Sequence, residues 1–217
     1  MKLYTYAASS AAYRVRIALN LKGVTAEQIP VHLLKDGGEQ LKPEYAALNP
    51  QKLIPVLATM EGVLSQSLAI IGYLDEIYPD PPFVPEEPFA RALVKSMALA
   101  IACDIHPVNN LRVRKYLKDV MGQSEEAVGV WYRHWIALGF EGLEAQIAPH
   151  AGKFCYGDTP TVADICLVPQ VYNARRFKLD LAPYPKLVAI DARAQSLPAF
   201  ADAAPERQGD FEPPQAR

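Results

Sequence analysis

The sequence predicts two domains of different class: a small α/β layer domain over residues 1–84 and an all-helical bundle over residues 85–217. Three observations carry that prediction. Short strand-like and helix-like segments alternate through the first part of the chain, a cluster of prolines then interrupts it, and every long apolar segment afterwards repeats at helical spacing.

The elements follow in order. Leu3 to Tyr6 is a short β-type run. From Ala12, the apolar residues Val15, Ile17, Ala18, Leu19 and Leu21 recur at helical spacing until Gly23 ends the helix. Gln28 to Val31 is a second strand, Asp36-Gly37-Gly38 breaks the chain, and a weaker helix runs through Tyr45 to Leu48. Asn49-Pro50 turns into a third strand, Ile54 to Leu57, and Glu61-Gly62 returns Val63 and Leu64 as a hairpin partner. Ser67 then reads as the cap of a helix whose apolar face is Leu68, Ile70, Ile71 and Leu74. Pro79, Pro81, Pro82, Pro85 and Pro88 can continue neither a helix nor a ladder, so this stretch is a linker dividing the chain near residue 84. A long Ala/Leu/Val-rich helix follows over 89–120, broken at Pro107. Ser124 opens the next helix, through Trp131, Trp135 and Phe140; Thr161 opens another, and shorter helices follow Pro183. The polar, proline-rich tail beyond Pro205 is expected to fray.

Composition narrows the function. Half the residues are apolar and the net charge is −2, which gives no global electrostatic case for nucleic acid or a membrane surface. No apolar run approaches the roughly 20 residues that span a bilayer, and the N-terminus lacks a signal peptide's apolar stretch, so a cytoplasmic protein is expected. The three cysteines, Cys103, Cys155 and Cys166, form no C-x-x-C pair. His32, His106, His134 and His150 show no metal-ligand spacing, so no metal is expected.

Three sites carry chemistry. Ser9-Ser10 precedes the first long helix: the hydroxyls either cap it or, with the helix N-terminus, face a bound anion such as a thiolate. Ile54-Pro55 stands just before an apolar strand, which suggests an edge position; were that peptide cis, the Ile54 backbone could pair with an extended peptide. Gln66-Ser67 opens a helix whose N-terminus suits a carboxylate. In the helical half, Thr161-Val162-Ala163-Asp164 is a capping box with a structural role. Arg175-Arg176 ends a helix, where cations are either solvated or functional.

Together and in this order, the three front sites resemble the glutathione-transferase family, whose N-terminal domain is thioredoxin-like. Tyr13-Arg14-Val15-Arg16-Ile17-Ala18-Leu19, Leu34-Lys35-Asp36-Gly37-Gly38, Ala47-Leu48-Asn49-Pro50, Gln66-Ser67-Leu68-Ala69-Ile70-Ile71 and Leu167-Val168-Pro169-Gln170-Val171 narrow the resemblance to its zeta class, the maleylacetoacetate and maleylpyruvate isomerases. It covers nearly the whole chain. By that resemblance Ser9 and Ser10 face the sulfur of glutathione, Gln40 and Ile54 bind its backbone, and Gln66 and Ser67 hold its γ-glutamyl end. His106 and Asn110 stand where the class adds glutathione contacts. Arg176 matches its binder of the substrate carboxylate, with Arg175 and Arg112 as further candidates. One residue departs: Ala11 replaces the cysteine of the usual Ser-Ser-Cys motif.

The resemblance implies a glutathione-dependent cis–trans isomerase that converts maleylacetoacetate to its fumaryl isomer in aromatic amino-acid catabolism by reversible thiolate addition to the double bond. Maleylpyruvate in the gentisate pathway and small α-halo acids are the alternative substrates. A small dicarboxylic keto acid as substrate and a homodimer complete the expectation.

Overall fold

The computed structural model describes residues 1–213, and the chain divides into two compact units, residues 1–82 with 197 onward, and residues 83–196. The first unit carries a four-stranded sheet made of β1 (Lys2–Thr5), β2 (Glu27–Pro30), β3 (Val56–Ala58) and β4 (Val63–Ser65). Their spatial order is β2-β1-β3-β4. β2 runs parallel to β1, while β3 is antiparallel to both β1 and β4. Helix α1 (Ser10–Leu21) crosses from β1 to β2, α2 (Pro43–Leu48) precedes β3, and α3 (Ser67–Ile77) follows β4.

Strand alternation sorts the side chains. Leu3 and Thr5 are buried on one face of β1, while Tyr4 and Tyr6 pack on the other against Val31, Tyr45, Ile54 and Val56. The Tyr45 hydroxyl and the Asn49 amide both donate to the Leu53 carbonyl, each at 2.7 Å, which holds the chain ahead of the cis Ile54–Pro55 peptide. The edge position suggested by Pro55 is not observed. β3 lies between β1 and β4, and its first paired residue is Val56, so the missing proline N–H falls just outside the ladder and removes no bond from it.

In the second unit α4 (Pro88–Leu99) leads through a π-helical stretch, Ala100–Ile105, into α5 (His106–Asn109) and α6 (Leu111–Lys115). The expected break at Pro107 is displaced. The wider π turn ahead of the proline tolerates its missing N–H, and the backbone departs from helix at Asn110 instead (φ −62°, ψ 151°). α7 (Glu125–Ile147) starts at Ser124, whose side chain accepts the Ala127 N–H at 3.1 Å. α8 (Val162–Arg176) is buried almost all round, as the central helix of a bundle must be, and packs against α4 and α9 (Pro185–Gln195). Its capping box is complete: the Asp164 carboxylate accepts the N–H groups of Thr161 and Cys155 at 2.8 and 2.7 Å. Burial nevertheless raises the Asp164 carboxyl above its ordinary range, against the pull of those bonds.

The segment from Leu197, placed by the sequence with the helical domain, clusters with the first unit. α10 (Pro198–Ala201) packs on α1, and the Arg16 guanidinium donates to the carbonyls of Ala203, Tyr6 and Ala7 and to the Thr5 hydroxyl. The Asp210 carboxylate accepts the Ala7 N–H at 2.9 Å. A buried arginine needs several acceptors, and backbone from both ends of the chain supplies them. The tail expected to fray beyond Pro205 is therefore bonded at Asp210; residues 214–217 lie outside the described part. No described helix is long and apolar enough to cross a membrane.

Candidate active-site residues

Two helix N-termini in the first unit differ in how they are closed. At α1, Ser9 has extended backbone (φ −82°, ψ 117°), and its Oγ accepts the Ala12 N–H at 3.2 Å. Ser9 is thus the cap, and Ser10 is the buried first residue of the helix. Capping uses the Ser9 oxygen as acceptor and leaves its O–H able to donate to an anion at the helix's positive end.

At α3 the expected cap is absent. Ser67 is the first helical residue and is buried, and its Oγ accepts from Arg14 at 3.4 Å. The preceding position belongs to Gln66, with φ 70° and ψ 117° and no capping side chain. That backbone is unfavourable for a side-chain-bearing residue by about 1 kcal/mol or more. The first-turn N–H groups of α3 are therefore open to a ligand, with the positive charge of the buried Arg14 beneath Ser67. The Gln66 carboxamide donates to Gln51 Oε1 at 2.9 Å.

Gln40 occupies a short 3-10 turn, Glu39–Leu41, and its buried Oε1 has no hydrogen-bond partner among the described residues. Its carboxamide lies against Gly38, where a Cβ would fall 2.7 Å from Gln40 Nε2. Gly38 also has φ 113°, a backbone that favours glycine there. Ile54 is buried in the sheet cluster, and its backbone stands outside the ladder.

The second unit separates the two adjacent arginines. Arg175 is held by Asp191 of α9 at 2.5 Å, an ion pair with a carboxylate that burial pushes upward and the guanidinium pulls down. Arg176 is exposed, its guanidinium carbon 5.9 Å from the Phe177 ring. Phe177 stacks on Tyr132 of α7 at 3.6 Å between centroids. Arg114 of α6 completes the group, 4.8 Å from the Phe177 centroid and 5.7 Å from that of Tyr132. Asn110 caps α6, its Oδ1 accepting the Arg112 N–H at 3.1 Å, and His106 is the half-buried first residue of α5.

Residues 3–82 match the family described as glutathione S-transferase, N-terminal domain. Over 208 residues the chain is 55% identical to the probable maleylacetoacetate isomerase of Vibrio cholerae, covering 96% of this chain and 97% of that one. The chain belongs to the zeta-class glutathione-transferase family of maleylacetoacetate and maleylpyruvate isomerases. Two solved relatives superpose over 98% of this chain and 100% of their own. One is the holo form of a bacterial zeta-class maleylpyruvate isomerase, with a TM-score of 0.94 at 48% identity. The other is the maleylacetoacetate isomerase of Methylobacterium extorquens AM1 with bound malonate and glutathione, with a TM-score of 0.93 at 40% identity. The front unit is the thioredoxin-like domain of this fold, and the helices after it form the zeta-class C-terminal domain.

Within this zeta-class frame the sequence-derived residues fall into groups. Ser9, Ser10, Gln40, Ile54, Gln66 and Ser67 share the first unit; His106, Asn110, Arg112, Arg175 and Arg176 share the second. Arg175 is tied into an intramolecular ion pair, while Arg112 is exposed on α6. The sequence reading missed Arg114. Its only signal was the Arg112-x-Arg114 spacing, which places the two on different sides of a helix.

Proposed function

We infer that this protein isomerises maleylacetoacetate to its trans isomer, with glutathione as a recycled cofactor. The reading is carried by the two helix N-termini of the first unit: one capped by a serine whose hydrogen is still available, the other left uncapped by a strained Gln66.

The residues fit glutathione. Its γ-glutamyl carboxylate matches the open first turn of α3 with Gln66 and Ser67 above Arg14; its backbone amides match the partnerless Gln40 oxygen and the Ile54 backbone. When bound, the cofactor supplies a sulfur nucleophile that adds reversibly to the substrate double bond and leaves a rotatable single bond. Ser9 or Ser10 donates a hydrogen bond to that sulfur, and the α1 N-terminus favours its ionised form. Each unit by which an ordinary thiol pKa near ~8.5 is lowered corresponds to about 1.4 kcal/mol. Because the family's cysteine is Ala11 here, no protein thiol competes at that position. Arg176, which has no carboxylate partner among the described residues, holds the substrate carboxylate and offsets negative charge as it develops. A net isomerisation returns its proton and needs no dedicated base.

Maleylpyruvate, the shorter diacid of the same chemistry, is the second reading, favoured by the near-superposition on the holo relative. The reading further expects a homodimer and a cytoplasmic location, the first checked by light scattering on the purified protein. Loss of ene-dione absorbance, with each substrate and sub-stoichiometric glutathione, tests the activity. Many turnovers per glutathione are expected; no turnover, or one glutathione consumed per substrate, would overturn the isomerase.

A further inference from the structure

Several arginines of this protein are bound by its own groups. Arg16 gives its hydrogens to three carbonyls and a hydroxyl, and Arg175 meets Asp191. Arg114 and Arg176 differ. Both lie over the Phe177 ring, at 4.8 and 5.9 Å, and neither has a carboxylate within ion-pair distance among the described residues. The Arg114 Nε is buried with no hydrogen-bond partner among the described residues. Glu125, the acidic group Arg114 senses, is in an ion pair with Lys118.

Two neighbouring cations repel, and partial burial strengthens the repulsion. Burial lowers the affinity of the Arg114 guanidinium for its proton, Tyr132 opposes that, and Arg176 lowers it further. Burial also pushes the Tyr132 phenol up to about 12, although both arginines pull it down, so one phenol senses both charges. The stacked Tyr132–Phe177 pair offers each guanidinium a ring face, which partly offsets desolvation but cancels no charge. A seat of this kind suits a doubly charged anion: a monoanion leaves one guanidinium uncompensated, whereas a dicarboxylate neutralises both.

We propose that Arg114 is a specificity-determining residue which, paired with Arg176 on the Tyr132–Phe177 stack, selects ligands carrying two carboxylates over those carrying one. Arg176 as the substrate-carboxylate residue is taken from the reading above; the inference adds a second cation and the discrimination it produces. Arg112, two positions earlier on α6, projects from a different side of that helix than Arg114.

The test is equilibrium binding of malonate and of monomethyl malonate to the full chain with saturating glutathione, by titration calorimetry, for the wild type, Arg114→Gln and Arg114→Lys. The wild type is expected to prefer malonate. Arg114→Gln is expected to weaken malonate about 10-fold and change monomethyl malonate less than about 2-fold. Arg114→Lys, which keeps the charge and loses the planar fork, is expected to retain part of the preference. In turnover, KM for the diacid should rise with kcat and KM for glutathione little changed. Equal weakening of both ligands, or no weakening of malonate in either variant, would overturn the proposal and leave Arg114 as packing for Phe177. Should Arg114→Gln fail to fold, Arg114→Lys decides the matter by the same comparison. Absence of isomerase activity in the wild type would sink the reading of function alone, since malonate binding needs no turnover.

Discussion

At the residue scale, single side chains here serve fold and chemistry at once, and substitutions can separate the two. Ser9 caps α1 through its oxygen, while the reaction calls on its hydrogen. Ser9→Asp keeps a cap acceptor and favours the helix N-terminus, but it brings a negative charge and no donor. Its unfolding free energy is therefore expected to stay within about 1 kcal/mol of wild type, while turnover falls by at least about 10-fold; denaturant unfolding and the ene-dione assay check the two halves. Gln66 shows the opposite balance. Its φ of 70° is one that glycine adopts freely, so Gln66→Gly should relieve strain of about 1 kcal/mol, partly offset by chain entropy. KM for glutathione should nevertheless rise several-fold, because the carboxamide at the open end of α3 is gone. A lowered melting temperature together with unchanged KM would contradict both statements.

At the element scale, helices are legible where their own ends encode them and illegible where a neighbour decides. Ser124 and the Thr161–Asp164 box close α7 and α8 by bonds within a few residues, so sequence reading located both. Gly139 is a different case. It sits inside α7, where an isolated glycine is a weak point, yet a Cβ there would fall 2.3 Å from Ile105 of the π-helical stretch. Close approach of two helices, not flexibility, requires it. Gly139→Ala is therefore expected to destabilise by about 1–3 kcal/mol despite alanine's better helix propensity; a thermal melt that rises instead would show that Ile105 can move aside. The same π-helical stretch explains why Pro107 does not end the helix: a wider turn absorbs the missing donor, and Asn110 takes over as the next cap.

At the scale of the whole molecule, the front unit is completed by residues from both chain ends. Arg16 is buried and holds backbone carbonyls on either side, and burial lowers its pKa to about 10 while the Asp210 charge opposes that. Arg16→Met removes the charge but strands several buried acceptors. We expect a loss of about 3–5 kcal/mol, with the segment after Leu197 becoming the first site of limited proteolysis.

By itself the sequence determined the two fold classes, the proline-rich division between them and the local caps, because periodicity, propensity and capping act over a few residues. Its resemblance to a family also named most candidate residues, including Gln40 and Arg176, although composition and spacing alone left each serine and arginine ambiguous. Only the tertiary structure decided that β3 is internal, that Arg14 takes the Ser67 hydroxyl from the α3 cap, that Asp191 engages Arg175, and that Arg114 joins Arg176 over Phe177. In each of those cases the partner lies far along the chain. Which groups neutralise a buried charge or accept a buried hydrogen depends on what packing brings together, and no local pattern records it.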